Sequence, residues 1–259
     1  MRLHLYTLCW NEIDILPFVV DYWKRLGIEK AVVYDNGSTD GSIEFLQKIP
    51  FVELRHFVTQ GMNDIEQRNI KSSAWKESKG IADYVIVCDT DEMIYSNDLE
   101  SVLQEMRDGG YNVLGMPWYA CCFDTRPQYV EGKLLHELGT KYYKQQINVT
   151  HKHLGKFMLF DPNLIDDMGF SVGCHMAKPT PSMKLFETKR AVTIHIDKGF
   201  SEDYFVQRRM KMAVNLSDVN KRHNYCFQYR KSEEDCRKEY RKYQSECVNV
   251  NDLIYSWTH

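Results

Sequence analysis

The chain has 259 residues, of which 43% are hydrophobic and 13% aromatic, enough for one large domain or for a domain with an appendage. Its formal net charge of −3 gives no general electrostatic reason to bind nucleic acid or an anionic membrane. No apolar run approaches the roughly 20 residues that cross a bilayer, and the cysteines form no CxxC pair, so we expect a cytoplasmic protein with free thiols.

Residues 1–118 alternate between two hydrophobic patterns, which predicts strands that alternate with helices. Strands are predicted at 3–9, 31–34, 51–57, 84–88 and 112–118, and helices at about 13–26, 42–48, 64–79 and 97–108. In the first helix Asp14 is a suitable cap, and Gly27 ends the helix. This alternation is typical of an α/β fold whose mainly parallel sheet carries helices on both faces.

Polar residues follow three of the predicted strands at the point where each strand ends. Asn11 and Glu12 follow the first strand, residues 35–40 follow the second, and residues 89–91 follow the fourth. In parallel sheets, ligands bind in the crevice beyond the carboxyl ends of the strands. The sequence therefore predicts one polar site along one edge of the sheet.

Asp89 and Asp91 form a DxD pair directly after an apolar strand. Side chains two residues apart on an extended segment point the same way, so the two carboxylates can face one point. A divalent cation would relieve their repulsion, and Mg²⁺ or Mn²⁺ takes its other ligands from water and substrate phosphates. A solvent-facing turn is the alternative. GxGxxG and GxxxxGK[ST] motifs are both absent, so we expect a metal, rather than a glycine-rich loop, to hold a phosphate ligand.

Several motifs, taken in order, resemble those of the family 2 glycosyltransferases. They are LYTLCWNE, YDNGSTDGS, QRN and VIVCDTDE, and the similarity extends through GCHMAKP and VTIHIDKGFSEDYFVQRRMKM to about residue 225. The resemblance looks closest to a branch found in bacterial capsule and O-antigen gene sets and in large DNA viruses. It implies a GT-A fold, with a Rossmann-like, mainly parallel central sheet flanked by helices.

The same resemblance implies a domain organisation and a set of site residues. We expect a catalytic domain at 1–215, divided into a nucleotide-sugar and metal half (1–117) and an acceptor half (118–215), followed by a C-terminal helical extension at 216–259. The residues implied to bind the nucleotide sugar are Asn11, Glu12, Asp35, Arg68, Asp89, Thr90 and Lys156. The residues implied to bind metal are Asp89 and Asp91 with a late histidine, for which His195 ranks slightly ahead of His175. Arg208 and Arg209 are expected to pack or to face solvent.

The implied activity is that of a metal-dependent hexosyl- or pentosyltransferase that uses Mn²⁺ or Mg²⁺. A sugar would move from a nucleotide donor, expected to carry UDP, to a hydroxyl of a glycan, glycolipid or glycoprotein, with inversion by direct displacement. Asp166 and Asp167 are the first candidates for the general base, although a capped turn is a competing interpretation of this pair.

Two other functions remain open at this point. A nucleotidyltransferase also combines an α/β sheet, carboxylates and a divalent ion, but it would normally show a glycine-rich basic loop where this chain has TLCWNE. A non-catalytic protein that binds a nucleotide sugar or a glycan is the other alternative. The charged segment after residue 216 predicts a solvated helix rather than a membrane anchor, and peripheral membrane contact stays open.

Overall fold

The computed structural model describes residues 1–138, 141–146, 151 and 154–249. The strands are β1 (Leu3–Cys9), β2 (Ile28–Asp35), β3 (Val52–His56), β4 (Tyr84–Val87), β5 (Glu92–Ser96), β6 (Val113–Gly115), β7 (Trp118–Phe123), β8 (Lys141–Gln145), β9 (Leu159–Phe160), β10 (Leu185–Glu187), β11 (Ala191–His195) and β12 (Val248–Asn249). The α-helices are α1 (Leu16–Leu26), α2 (Ser42–Leu46), α3 (Asp64–Ser73), α4 (Leu99–Asp108), α5 (Glu202–Val214), α6 (Asp218–Arg222) and α7 (Glu233–Ser245). Short 3-10 helices occupy Ala74–Ser78, Leu135–Glu137, Val172–Cys174 and Phe227–Arg230.

The larger sheet contains seven strands within the described residues, in the order β10–β6–β9–β4–β1–β2–β3. β1 pairs in parallel with β2 and β4, and β3 is parallel to β2, whereas β9 runs antiparallel between β4 and β6. All four residues of β4 are buried, as expected for a strand that is covered on both faces. The predicted α/β architecture with a mainly parallel sheet is therefore confirmed.

Helix α1 shows how the apolar pattern becomes packing. Its apolar positions, among them Leu16, Val20 and Trp23, are buried against the sheet, and Gly27 ends the helix with a left-handed φ of 70°. The predicted cap is wrong, because the N-cap residue is Ile15 and its side chain makes no capping bond. Asp14 instead pairs with Arg126 at 2.5 Å.

A second sheet brings a late part of the chain back to the DxD pair. Its order within the described residues is β12–β8–β7–β11–β5. β5 starts immediately after Asp91 and pairs antiparallel with β11, in a register that places His195 opposite Glu92. The Ile196 N–H also donates to the Asp91 carbonyl at 2.9 Å. This register explains how residues about a hundred positions apart in the sequence meet at one point.

The segment that follows residue 215 packs onto the rest of the molecule. Helix α7 lies against α5, where Cys236 and Tyr240 are buried with Phe205. The Tyr240 hydroxyl donates to the Phe123 carbonyl at 2.6 Å, which fixes α7 to the end of β7. In the described part of the chain, the helices are too short or too polar to cross a membrane.

Candidate functional site

A cavity of about 600 Å³ lies at the carboxyl ends of β1, β2 and β4. Glu12, Asn36 and the 89–91 turn, which follow these three strands, all line it. The opposite walls come from His195, from α5 and from residues 224–229. The structure thus brings the three polar strand ends together, as the sequence predicted.

Asp89 is held by two buried lysines. Its Oδ1 accepts from Lys71 of α3, and its Oδ2 accepts from Lys156 at 2.7 Å. Burial by itself would raise the pKa of Asp89, but the two ammonium groups outweigh burial and lower that pKa well below its ordinary value. Both carboxylate oxygens of Asp89 are therefore already occupied by protein cations.

Asp91 is shared between a histidine and an arginine. Its Oδ2 lies 3.6 Å from His195 Nε2 and accepts from Arg208 Nη2 at 3.1 Å. Burial would lower the pKa of His195, yet the Asp91 carboxylate raises it above its ordinary value. Nδ1 of His195 lies 3.0 Å from Gln146 Oε1, and its ring stacks on Trp118 with an interplanar angle of 18°. These contacts fix the orientation of the imidazole toward Asp91.

His175, the other candidate histidine, lines the same cavity near Trp118, with the two ring centroids 6.1 Å apart. Partial desolvation and then the nearby Lys156 lower its pKa to about 4. His175 is therefore neutral near pH 7.

The other residues implied to bind the nucleotide occupy two kinds of position. Thr90 and Arg68 line the cavity, with the Thr90 hydroxyl turned back to the Leu8 carbonyl of β1. Asp35 lies beneath the wall and is fully buried, and its Oδ2 accepts from the backbone of the next turn, residues 37–38. The Asn11 side chain likewise accepts from the Thr39 N–H, so it braces that turn.

The family of this chain follows from a comparison of its sequence with known protein families. The sequence pattern described as "Glycosyl transferase family 2" matches residues 7–167, well over half of the chain. The chain belongs to glycosyl transferase family 2. The family predicted from the motifs is thereby confirmed, and the sheet of this family 2 chain agrees with the predicted GT-A fold. The narrower capsule and viral branch stays a prediction.

Solved structures with a similar fold include three crystal structures of S. aureus TarS. The longest TarS chain is 15% identical, with a TM-score of 0.41, and the match covers 85% of this family 2 chain. TarS 1–349 in complex with UDP is 14% identical (TM-score 0.42), and the complex with UDP-GlcNAc is 12% identical (TM-score 0.40). Both matches cover 86% of this chain, and they cover 68% and 69% of those TarS chains. The match spans only 41% of the longest TarS chain. No curated protein sequence matches the chain.

Asp166 and Asp167, the base candidates, lie outside the cavity of this family 2 chain. Asp166 pairs with Lys79 at 2.8 Å and is 76% exposed, while Asp167 pairs with Lys76 at 2.6 Å. Backbone bonds from Asp166 and Asp167 to the Thr180 carbonyl hold this turn. Neither residue is among those that line the cavity beside Asp91. The turn interpretation fits the observed contacts better.

Sequence reasoning missed Lys71 and Arg208, and Arg208 was expected to pack or to face solvent. The Arg208 guanidinium is instead largely buried between Glu12 and Asp91. Burial would lower its pKa, but the two carboxylates, with Tyr204, keep that pKa well above its ordinary value. The signal was weak, because Lys71 and Arg208 belong to helices rich in polar residues, where a charged side chain normally faces solvent.

Among the described residues that line the cavity, the carboxylate side chains equal the Lys and Arg side chains in number. Its six acidic residues are Glu12, Asp64, Asp89, Asp91, Asp197 and Glu239. Its six basic residues are Arg68, Lys71, Lys156, Lys198, Arg208 and Arg209. Many of them already form ion pairs, such as Asp197 with Lys198 and Arg209. Among the described residues that line the cavity, the Asp, Glu, Lys and Arg side chains therefore offer no excess of positive charge to an anionic ligand.

The donor set around Asp91 fits a hard or borderline divalent cation. One carboxylate oxygen and one imidazole nitrogen already converge there, and Mn²⁺ accepts both. Asp89 fits less well because lysines occupy both of its oxygens. Within the described residues, no group of three or more His, Cys, Asp or Glu side chains could hold a metal alone. Water and substrate oxygens would have to complete the coordination.

Proposed function

We propose that this family 2 chain transfers a sugar from a UDP-sugar to a hydroxyl of a glycan, glycolipid or glycoprotein, with inversion and with the help of Mn²⁺ or Mg²⁺. Family membership supports glycosyl transfer. The single observation that carries the metal-dependent donor site is the convergence of Asp91 Oδ2 and His195 Nε2, 3.6 Å apart in a cavity large enough for a nucleotide.

The charge balance of the cavity supports metal dependence. A diphosphate brings about two negative charges into a site whose described Asp and Glu residues equal its described Lys and Arg residues in number. Without another cation, the bound donor would leave the site with excess negative charge in a partly buried environment. A divalent ion on Asp91 and His195 would restore the balance, and it would also stabilise the charge that develops on the leaving diphosphate.

The residues of the chain itself have separate roles in this proposal. Lys156 and Lys71 neutralise Asp89, so that a second carboxylate beside the phosphates is tolerated. Asn36 and Arg68 line the cavity beyond β2 and in α3, on the side where the resemblance implies that the base lies. Trp118 and Gln146 hold His195 in place. The donor would thus lie along the carboxyl edge of the parallel sheet.

Calorimetric titration of UDP, with and without Mn²⁺, tests this function. The wild type should bind UDP more tightly with Mn²⁺, and Asp91→Ala should lose this gain. Asp166→Ala is the matched control, because it also removes one aspartate but lies outside the cavity. Equal UDP binding with and without Mn²⁺ in the wild type would contradict the proposal. A screen of UDP-sugars, with the anomeric configuration of the product read by NMR, would then test transfer and inversion.

A further inference from the structure

We propose that Arg208 is a displaceable ion-pair partner of Asp91, which couples the binding of the divalent cation to the binding of the donor diphosphate. In the free protein it occupies the oxygen that the cation needs, and it gives up that oxygen when a diphosphate offers a new one. This inference rests on the metal-dependent donor site proposed above and assigns a positioning role to a residue of α5.

The Arg208 guanidinium bridges two carboxylates that come from different parts of the fold. Its Nη1 donates to Glu12 Oε2 at 2.5 Å, and its Nη2 donates to Asp91 Oδ2 at 3.1 Å. The three side chains are 17%, 8% and 15% exposed, in the order Arg208, Glu12 and Asp91. Arg208 therefore has a firm anchor on Glu12 and a second, longer bond on the candidate metal ligand.

The same oxygen of Asp91 faces His195. Nε2 of His195 lies 3.6 Å from Oδ2, the atom that accepts from Arg208. A divalent cation bound to this oxygen and to the imidazole would lie next to the guanidinium. Two cations so close repel strongly in a partly buried site. The cation and the Nη2 bond of Arg208 thus compete for one atom.

The anchor on Glu12 lets Arg208 respond without leaving the site. The guanidinium can rotate while Nη1 keeps its hydrogen bond to Glu12, and this rotation frees the Asp91 carboxylate. The Nη2 group then needs a new hydrogen-bond acceptor. Diphosphate oxygens are strong acceptors for arginine. Binding of the metal alone would leave Nη2 without an acceptor, whereas binding of the metal together with the nucleotide diphosphate would supply one. Each ligand therefore lowers the cost of binding the other.

This arrangement predicts by how much the binding of Mn²⁺ and the binding of UDP strengthen each other. The affinity for Mn²⁺ should rise when UDP is present, and thermodynamic reciprocity requires the same factor for UDP when Mn²⁺ is present. Couplings of this kind are typically about 5- to 150-fold. UDP phosphates that coordinate the metal directly supply part of the factor in any variant. The share contributed by Arg208 is the part that disappears with its side chain.

Mn²⁺ binding, measured by electron paramagnetic resonance of the free ion with and without saturating UDP, tests the inference. In Arg208→Gln, Mn²⁺ alone should bind roughly 5-fold tighter or more, and the gain from UDP should shrink by a similar factor. Glu12→Gln should weaken the binding of Mn²⁺ alone. Without the Glu12 carboxylate, Arg208 pairs more strongly with Asp91, the oxygen of which the metal needs. Lys211→Gln is the control, since it removes one exposed cation from the same helix.

The outcomes separate the two proposals. If the wild type shows coupling while Arg208→Gln matches Lys211→Gln, the role of Arg208 is refuted and the metal-dependent site survives. If UDP does not change Mn²⁺ binding in the wild type, both proposals fail. Thermal melts check that each variant is folded, and Glu12→Gln decides the question if Arg208→Gln does not fold. An unchanged affinity of Glu12→Gln for Mn²⁺ alone would overturn the inference.

Discussion

Replacing Lys156 by methionine should destabilise the fold by about 3–5 kcal/mol, the usual cost of leaving a buried charge without its partner. The Lys156 ammonium lies 2.7 Å from Asp89 Oδ2 and 2.7 Å from Glu92 Oε1. The contact with Glu92 has the distance of an ion pair but not the geometry of a hydrogen bond. The Glu92 side chain is 0% exposed. Methionine keeps the apolar stem but leaves this carboxylate without a counter-ion, while Asp89 retains Lys71.

Urea unfolding measures this change directly, and a thermal melt should show a fall of roughly 6–20 °C for a chain of this size. The control is Lys79→Met, because its pair with Asp166 is exposed and should contribute less than about 1 kcal/mol. Adding Glu92→Gln to Lys156→Met should recover much of the loss, since it removes the unpaired charge. A Lys156→Met protein as stable as the control, or a double variant no better than the single one, would refute the reasoning.

Three further predictions concern the metal site and its walls. His195→Ala should weaken Mn²⁺ binding in the presence of UDP by about tenfold or more, whereas His175→Ala should change it little, as calorimetry can show. Because Asp91 raises the pKa of His195, protons compete with the metal, so Mn²⁺ affinity should increase as the pH rises from about 6 to 8. Gly61→Ala should lower the free energy of unfolding by about 1–3 kcal/mol in urea, since Gly61 has a φ of +72° and an added Cβ would lie 2.3 Å from the Asn215 carbonyl oxygen.

The strands and helices of residues 1–117 were predictable because the packing that buries a residue in this part of the fold also requires it to be apolar. Strand β4 is apolar throughout because helices and loops cover both faces of the sheet, and the apolar stripe of α4 is buried for the same reason. The DxD pair at the end of β4 is local in sequence, so its spacing alone placed both carboxylates at the edge of the sheet. The ends of the helices were harder to predict. Residues 64–79 were expected to form one helix, but they form α3 followed by a 3-10 helix.

The lysine and arginine partners of the DxD pair could not be read in the same way. Lys71, Lys156 and Arg208 reach Asp89 and Asp91 from elements far apart in the sequence, and only the folded sheet brings them together. Asp35 shows the converse case. The resemblance implied that Asp35 contacts a ligand. Its Oδ2 is used by the backbone of its own turn, while its Oδ1 has no hydrogen-bond partner among the described residues, so that contact stays a prediction. A local motif indicates where a site lies, while long-range packing decides which side chain faces the ligand.

The C-terminal segment is a second case in which long-range packing decides which side chains reach the cavity. Its charged residues predicted a solvated helix, and most of the charged side chains of α7 are exposed, but a few polar residues of the segment line the cavity. Glu239 pairs with Lys198 at 2.8 Å, and the Cys226 thiol lies 3.1 Å from Asp64 Oδ2. The Met62 N–H donates to the Asn215 carbonyl at 2.6 Å, which ties the loop before α3 to the end of α5. The wall opposite the DxD pair thus continues past residue 215, where residues 224–229 and Glu239 line the cavity.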